Sequence, residues 1–140
     1  MSTNTVQLIQ DSFEQLRPRA DELVTRFYER LFSEHPEVRP LFPDDMSAQK
    51  GKLAASIGLV VKNAGHLDRI EDALMDMGAR HVDYGTEPAH YPVVRDTLLA
   101  TMAELAGPIW SEQLHKAWSG ALDAVAETML RGAARRKKAA

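Results

Sequence analysis

Apolar residues recur every three or four positions along nearly the whole chain, and the strict apolar–polar alternation of a half-buried strand occurs nowhere. Val6, Ile9, Phe13 and Leu16 mark a first amphipathic helix over residues 4–17. Pro18 stops it and suits the first turn of the next, Arg19–Glu34, whose broad stripe is Leu23, Val24, Phe27, Tyr28, Leu31 and Phe32. Pro36 and Pro40 bound a short helical turn, and Leu41-Phe42-Pro43 follows as a loop holding a large aromatic. Asp45 or Ser47 can cap a helix over residues 46–63 that faces inward with Leu53, Ile57, Val60, Val61 and Ala64. Gln49 lies one turn before Leu53 on that face. Tyr91-Pro92 opens a helix through Val94, Leu98, Met102 and Leu105, which Gly107-Pro108 ends. Ser111 caps the last helix, with Leu114, Trp118, Leu122, Val125 and Met129 on one side. The pattern predicts one all-α domain of six main helices plus one or two short ones.

The remaining helix lies between a linker, Ala64–Leu67, and a short connection, Thr86–His90. Its positions Ile70, Leu74, Met77, His81 and Tyr84 fall at i, i+4, i+7, i+11 and i+14 and share one face, so its only imidazole points inward. Asp68 is placed to serve as its N-cap. Gly78, one turn before His81, costs about 1 kcal/mol relative to alanine inside a helix and so calls for close backbone approach. Gly85 closes the helix where a left-handed cap is cheapest. Two readings of His81 stand: a core histidine satisfied by a hydrogen bond, or a ligand to a metal or haem.

Composition narrows the chemistry. The 140 residues carry a formal net charge of −3, which argues against nucleic acid as a partner. No apolar run approaches a membrane span and the N-terminus has no signal-peptide pattern, so a soluble cytoplasmic protein is expected. The absence of cysteine removes disulfides, thiolate metal sites, Fe–S clusters and covalent C-x-x-C-H haem attachment. His35, His66, His81, His90 and His115 show no zinc-type spacing, which favours a cofactor needing one strong ligand over a histidine cage. No phosphate loop, catalytic triad or deaminase pattern is present. Residues 1–134 read as the domain, and 135–140 as a basic, frayed tail. Tyr28, Gln49 and His81 place hydrogen-bonding groups on the inward faces of three helices. Each costs roughly 1–3 kcal/mol if left unpaired, and a shared cavity with something polar at its centre accounts for all three.

From Val6 to about Leu130 the chain resembles the globins, and among them bacterial single-domain globins similar to the haem domains of flavohaemoglobins. The resemblance rests on Pro36-x-x-x-x-Leu41-Phe42, Arg80-His81-x-x-Tyr84-Gly85, His90-Tyr91-Pro92-x-Val94 and Ala117-Trp118, in this order. It implies a globin fold around non-covalent haem b, with His81 as the axial iron ligand. Phe42 would stack on the porphyrin, and Tyr91 and Val94, in the opening of the next-to-last helix, would also be cofactor-binding. Tyr28 and Gln49 would occupy the distal side, with Leu53 packed over the ligand. Lys52 and Arg80 are either partners of the haem propionates or ordinary surface charges. No histidine lies on the inward face of the 46–63 helix, so a second histidine ligand is not expected.

The implied function is tight, reversible binding of dioxygen, and also of carbon monoxide and nitric oxide, for storage, transport or scavenging. A phenol and an amide are both donors, and two hydrogen bonds to polarised dioxygen together give about 2–4 kcal/mol. The alternative is a nitric oxide dioxygenase served by a separate reductase, since the chain ends where a flavin and nicotinamide reductase domain would begin. A haem-free helical domain or a sensor is the third reading. In flavohaemoglobins a glutamate late in the last helix acts with a tyrosine on the proximal histidine. Tyr91 matches the tyrosine, but the glutamate's place falls on Ala133, which puts peroxidase-like electron push in doubt. A monomer or weak dimer is expected.

Overall fold

The computed structural model describes residues 2–139. Six α-helices are present among them: α1 (Thr3–Leu16), α2 (Ala20–Glu34), α3 (Ser47–Lys62), α4 (Glu71–Asp83), α5 (His90–Ala106) and α6 (Glu112–Ala139). Four 3₁₀ segments, rather than one or two short helices, join them: Arg17–Arg19, Pro36–Leu41, Leu67–Ile70 and Gly107–Ile109. Three of these four carry proline in the first turn, where the missing N–H costs no hydrogen bond.

Local chemistry sets several helix ends. Ser2 Oγ accepts from Thr5 N at 3.1 Å, and Ser111 Oγ accepts from Leu114 N at 3.1 Å. Asp45 Oδ1 accepts from Ser47 N at 2.9 Å, a bond that holds its carboxyl below the usual range. Asp68 does not cap α4. It lies inside the Leu67–Ile70 3₁₀ turn, and α4 begins after Ile70 without a side-chain cap. α6 continues through residues 135–139, and Arg136 Nη2 pairs with Asp83 Oδ1 at 3.2 Å. Basic side chains in a last turn suit the negative end of the helix dipole, which favours continuation of the helix there. Ala140 lies outside the described residues.

The main core joins α1, α2, α3, α5 and the first half of α6. Trp118, Met102 and Ile9 are fully buried within it, and Phe27, Leu31 and Leu23 nearly so. Its polar atoms are paired. Trp118 Nε1 donates to Ser12 Oγ at 2.9 Å, and the buried hydroxyls of Thr97 and Thr101 donate to carbonyls one turn back in α5. A second, smaller cluster unites Ile70, Leu74 and Met129, with Leu59, Met77, Tyr91 and Val125 against it. The molecule thus has a large core that holds α3 and a smaller one that holds α4. α3 packs on α2 and α1, whereas α4 packs on α6.

The α4–α6 junction is close. A Cβ added at Gly78 would lie 1.9 Å from the Met129 carbonyl oxygen, and one at Gly132 would lie 2.0 Å from that of Met75. The close approach predicted at Gly78 is there, and Gly132 is its unforeseen counterpart.

Candidate functional site

His81 sits in the last turn of α4, and its surroundings fix it at three points. Gly78, one turn earlier, lets the helix lie directly on α6. Gly85 adopts φ +89°, with its N–H donating to Val82 O at 3.0 Å. Thr86 N donates to the carbonyl of His81 itself at 2.9 Å, which completes a Schellman closure. The imidazole Nδ1 donates to Met77 O at 2.6 Å. A carbonyl can only accept, so the proton sits on Nδ1 and the Nε2 lone pair is left unprotonated. Burial lowers the His81 pKa; the Met77 bond opposes this, and the nearby Arg80 charge reinforces it. The ring is therefore neutral, half-buried and basic at one nitrogen.

Tyr84, placed on the same face by its spacing, does not share that burial. It follows the last residue of α4, is 52 % exposed, and its ring centroid lies 5.5 Å from that of His81. The turn of the chain toward Gly85 carries it outward.

A second group gathers on α2, α3 and the loop between them. Tyr28 is buried, and its Oη accepts from Gln49 Nε2 at 3.2 Å. Phe42 packs edge-on against Tyr28 and Phe32 at centroid distances of 5.6 and 5.3 Å. Leu53 is half-buried and packs against the main core. Burial raises the Tyr28 pKa, and the Gln49 bond only partly offsets it, so the phenol keeps its proton across the physiological range. Because Oη accepts from Gln49, that proton is left to be donated elsewhere. Gln49 retains a second amide hydrogen.

Arg39 is a further residue of this group, one that no sequence motif marks. Its guanidinium lies 4.8 Å above the Phe32 ring, and it donates to the carbonyls of Phe42 (3.2 Å), Pro43 (3.0 Å) and Asp44 (3.3 Å). These carbonyls belong to a loop without regular backbone pairing, so one side chain anchors the segment that positions Phe42. Short of a motif, the sequence signal is an arginine between two prolines ahead of an unpaired stretch.

Tyr91 packs against the small cluster under α4, and its hydroxyl is buried without a hydrogen-bond partner. Burial raises its pKa. Ala133, the position where the resemblance expects a glutamate, is buried and carries no carboxylate. Val94, predicted on an apolar helix face, is 37 % exposed. Lys52 and Arg80 are exposed. Of the predicted residues, the structure brings together Tyr28, Gln49 and Phe42 on one side, and it fixes His81 on another element. Two surface clefts, of about 460 and 210 Å³, involve none of these four residues; the larger lies between the start of α5 and α6.

The arrangement offers one imidazole nitrogen to a metal centre. One histidine nitrogen is committed to the backbone and the other is free. The helices bearing Gln49 and His81 pack on different partners, and an aromatic beside a buried phenol donor stands on the α2–α3 side.

The sequence profile of the globin family matches residues 25–129. The chain is 31 % identical over 130 residues to a globin-like protein of Aquifex aeolicus, covering 93 % of this chain and 92 % of that one. A flavohaemoprotein of Bacillus subtilis is 24 % identical over 133 residues, covering 93 % of this chain and 33 % of its own length. The chain thus spans about a third of the flavohaemoproteins it matches. Among solved structures, a bacterial globin from Campylobacter jejuni superposes with a TM-score of 0.88 at 26 % identity, covering 98 % of this chain and 99 % of that chain. An engineered carbene transferase, built on a nitric oxide dioxygenase candidate of Rhodothermus marinus, superposes with a TM-score of 0.90 at 27 % identity. It covers 99 % of this chain and 97 % of that one. The protein belongs to the globin family, and its architecture is the globin fold.

Proposed function

We propose that this globin binds haem b through His81 and uses it for tight, reversible binding of dioxygen and other diatomic gases. Haem iron supplies the coordination position at which such a gas binds. What the chain itself contributes follows from its own groups. His81 offers Nε2, with its tautomer set by the Met77 carbonyl. Phe42, Leu53, Tyr91 and Val94 would flank the porphyrin, and Lys52 and Arg80 would meet its carboxylates.

The observation that carries the reading is the Tyr28–Gln49 pair. A buried phenol that accepts from an amide and keeps its own proton is a preorganised donor for a small polar ligand. Gln49 orients and polarises the hydroxyl, and its remaining amide hydrogen adds a second donor. Carbon monoxide, a weaker acceptor, would gain less than dioxygen.

Absorption spectroscopy tests the proposal. Purified protein supplied with haemin should show a Soret band. After reduction it should show visible bands that persist in air and give way under carbon monoxide. No Soret band would return His81 to the role of a core histidine.

A second reading is supported by the Rhodothermus neighbour and the flavohaemoproteins: conversion of nitric oxide to nitrate, with electrons from a reductase. The same donors would serve it. Sustained nitric oxide consumption with an added flavin reductase, against a single stoichiometric turnover without one, separates the two.

A further inference from the structure

We infer that Gly132, far from His81 in sequence, is a positioning residue that sets where His81 stands. This rests on the reading of His81 as the haem ligand. Helix α4 carries Met75 and Gly78, and α6 carries Met129 and Gly132, the same pair at the same separation. Each glycine faces the other helix's methionine carbonyl: a Cβ at Gly78 would lie 1.9 Å from Met129 O, and one at Gly132 would lie 2.0 Å from Met75 O. The contact is reciprocal, backbone on backbone, at two points one turn apart.

Two such points fix both the distance between the helices and their register, because sliding by a residue would drive a side chain into a carbonyl. Surface ion pairs bracket the junction: Arg131 with Glu71 at 3.0 Å near the start of α4, and Arg136 with Asp83 at 3.2 Å at its end. His81 follows Gly78 by one turn of the same helix. Its imidazole is tied to the carbonyl of Met77, which lies between the two contact positions, Met75 and Gly78. Displacing α4 from α6 therefore displaces the imidazole with it. Real Cβ atoms essentially never approach another atom within 3.0 Å, so an alanine at 132 demands a movement of about 1 Å or more. Neither the Met77 bond nor the Schellman closure can absorb that shift, since both move with α4.

The test is resonance Raman spectroscopy of the ferrous, ligand-free protein, reading the iron–histidine stretching band, with gas-release rates and thermal melts of the haem-free protein alongside. Gly132→Ala should shift the band and change the release rate several-fold. Gly120→Ala, on the same helix with nothing within 4 Å of the added Cβ, should leave both unchanged. A folded Gly132→Ala protein with the wild-type band and release rate overturns the inference. If that variant does not fold, Met129→Ala, which removes the buried side chain at the other contact point and leaves both glycines in place, decides. A band different from wild type supports positioning by the helix junction, and an identical band overturns it. Absence of a Soret band in the wild-type protein is a different result, which removes the haem reading itself.

Discussion

Tyr28 has one proton to give, and the wild-type protein is expected to hold dioxygen with it. Replacing Tyr28 by phenylalanine removes that donor and leaves the Gln49 amide facing a ring edge. One hydrogen bond of about 1–2 kcal/mol corresponds to roughly 5- to 30-fold faster oxygen release, measurable by stopped flow. A change within a factor of two would falsify the role given to the phenol. Tyr91→Phe should behave in the opposite sense to most such substitutions. Its hydroxyl is buried and unpartnered, so removing it should leave thermal stability unchanged or raise it by about 1 kcal/mol. A clear loss of melting temperature would mean that the hydroxyl has a partner. At His81 the pH dependence has a defined sign. Burial puts the folded pKa below the ordinary value of about 6.5, so between the two the unfolded chain binds the extra proton. The contribution of His81 to the stability of the haem-free protein is thus complete above that value and declines as pH falls through it toward the folded pKa. Denaturant titrations from pH 7.5 to 5 should show wild type losing more stability than His81→Gln over this window.

At the level of elements, the helices were legible because their apolar stripes are regular and their breakers, Pro18, Pro36, Gly85 and Gly107-Pro108, stand between stripes. The Ser111 cap was legible for the same reason. Asp68 was misread because a 3₁₀ turn and an α-helix share the same apolar spacing over four residues, so periodicity could not show where one became the other. Tyr84 was misread because helical spacing was carried one residue past the end of α4. The three donors on inward faces were readable, but that Gln49 donates to Tyr28 is a fact of side-chain geometry. Gly132 was missed because a single glycine in a long helix has no local signature, and only its mirror image in α4 shows what it does. Gly85→Ala tests the end of α4. With φ at +89° and Leu41 Cδ2 3.2 Å from the added Cβ, it should cost about 1–2 kcal/mol in urea unfolding. Arg39→Ala frees the three carbonyls of the Phe42 loop. It should lower stability by about 1–2 kcal/mol and speed haem transfer to an acceptor apoprotein.

Across the whole molecule, the two cores are unequal. The larger would organise α1, α2, α3 and α5 with or without a bound group, while α4 depends on α6, on a cluster of three buried side chains and on surface ion pairs. The segment that carries the proposed ligand then rests on the smaller of the two buried apolar clusters. Segments of that kind open locally before the rest of a protein unfolds. Amide hydrogen exchange in the haem-free protein should therefore show residues 71–83 exchanging together with the α6 residues they touch, well ahead of α2 and α5. Haemin should slow that exchange selectively. The junction that orients the imidazole would then double as the gate for its cofactor: a chain losing haem would part along a seam between two helices and leave a folded remainder, ready to be loaded again.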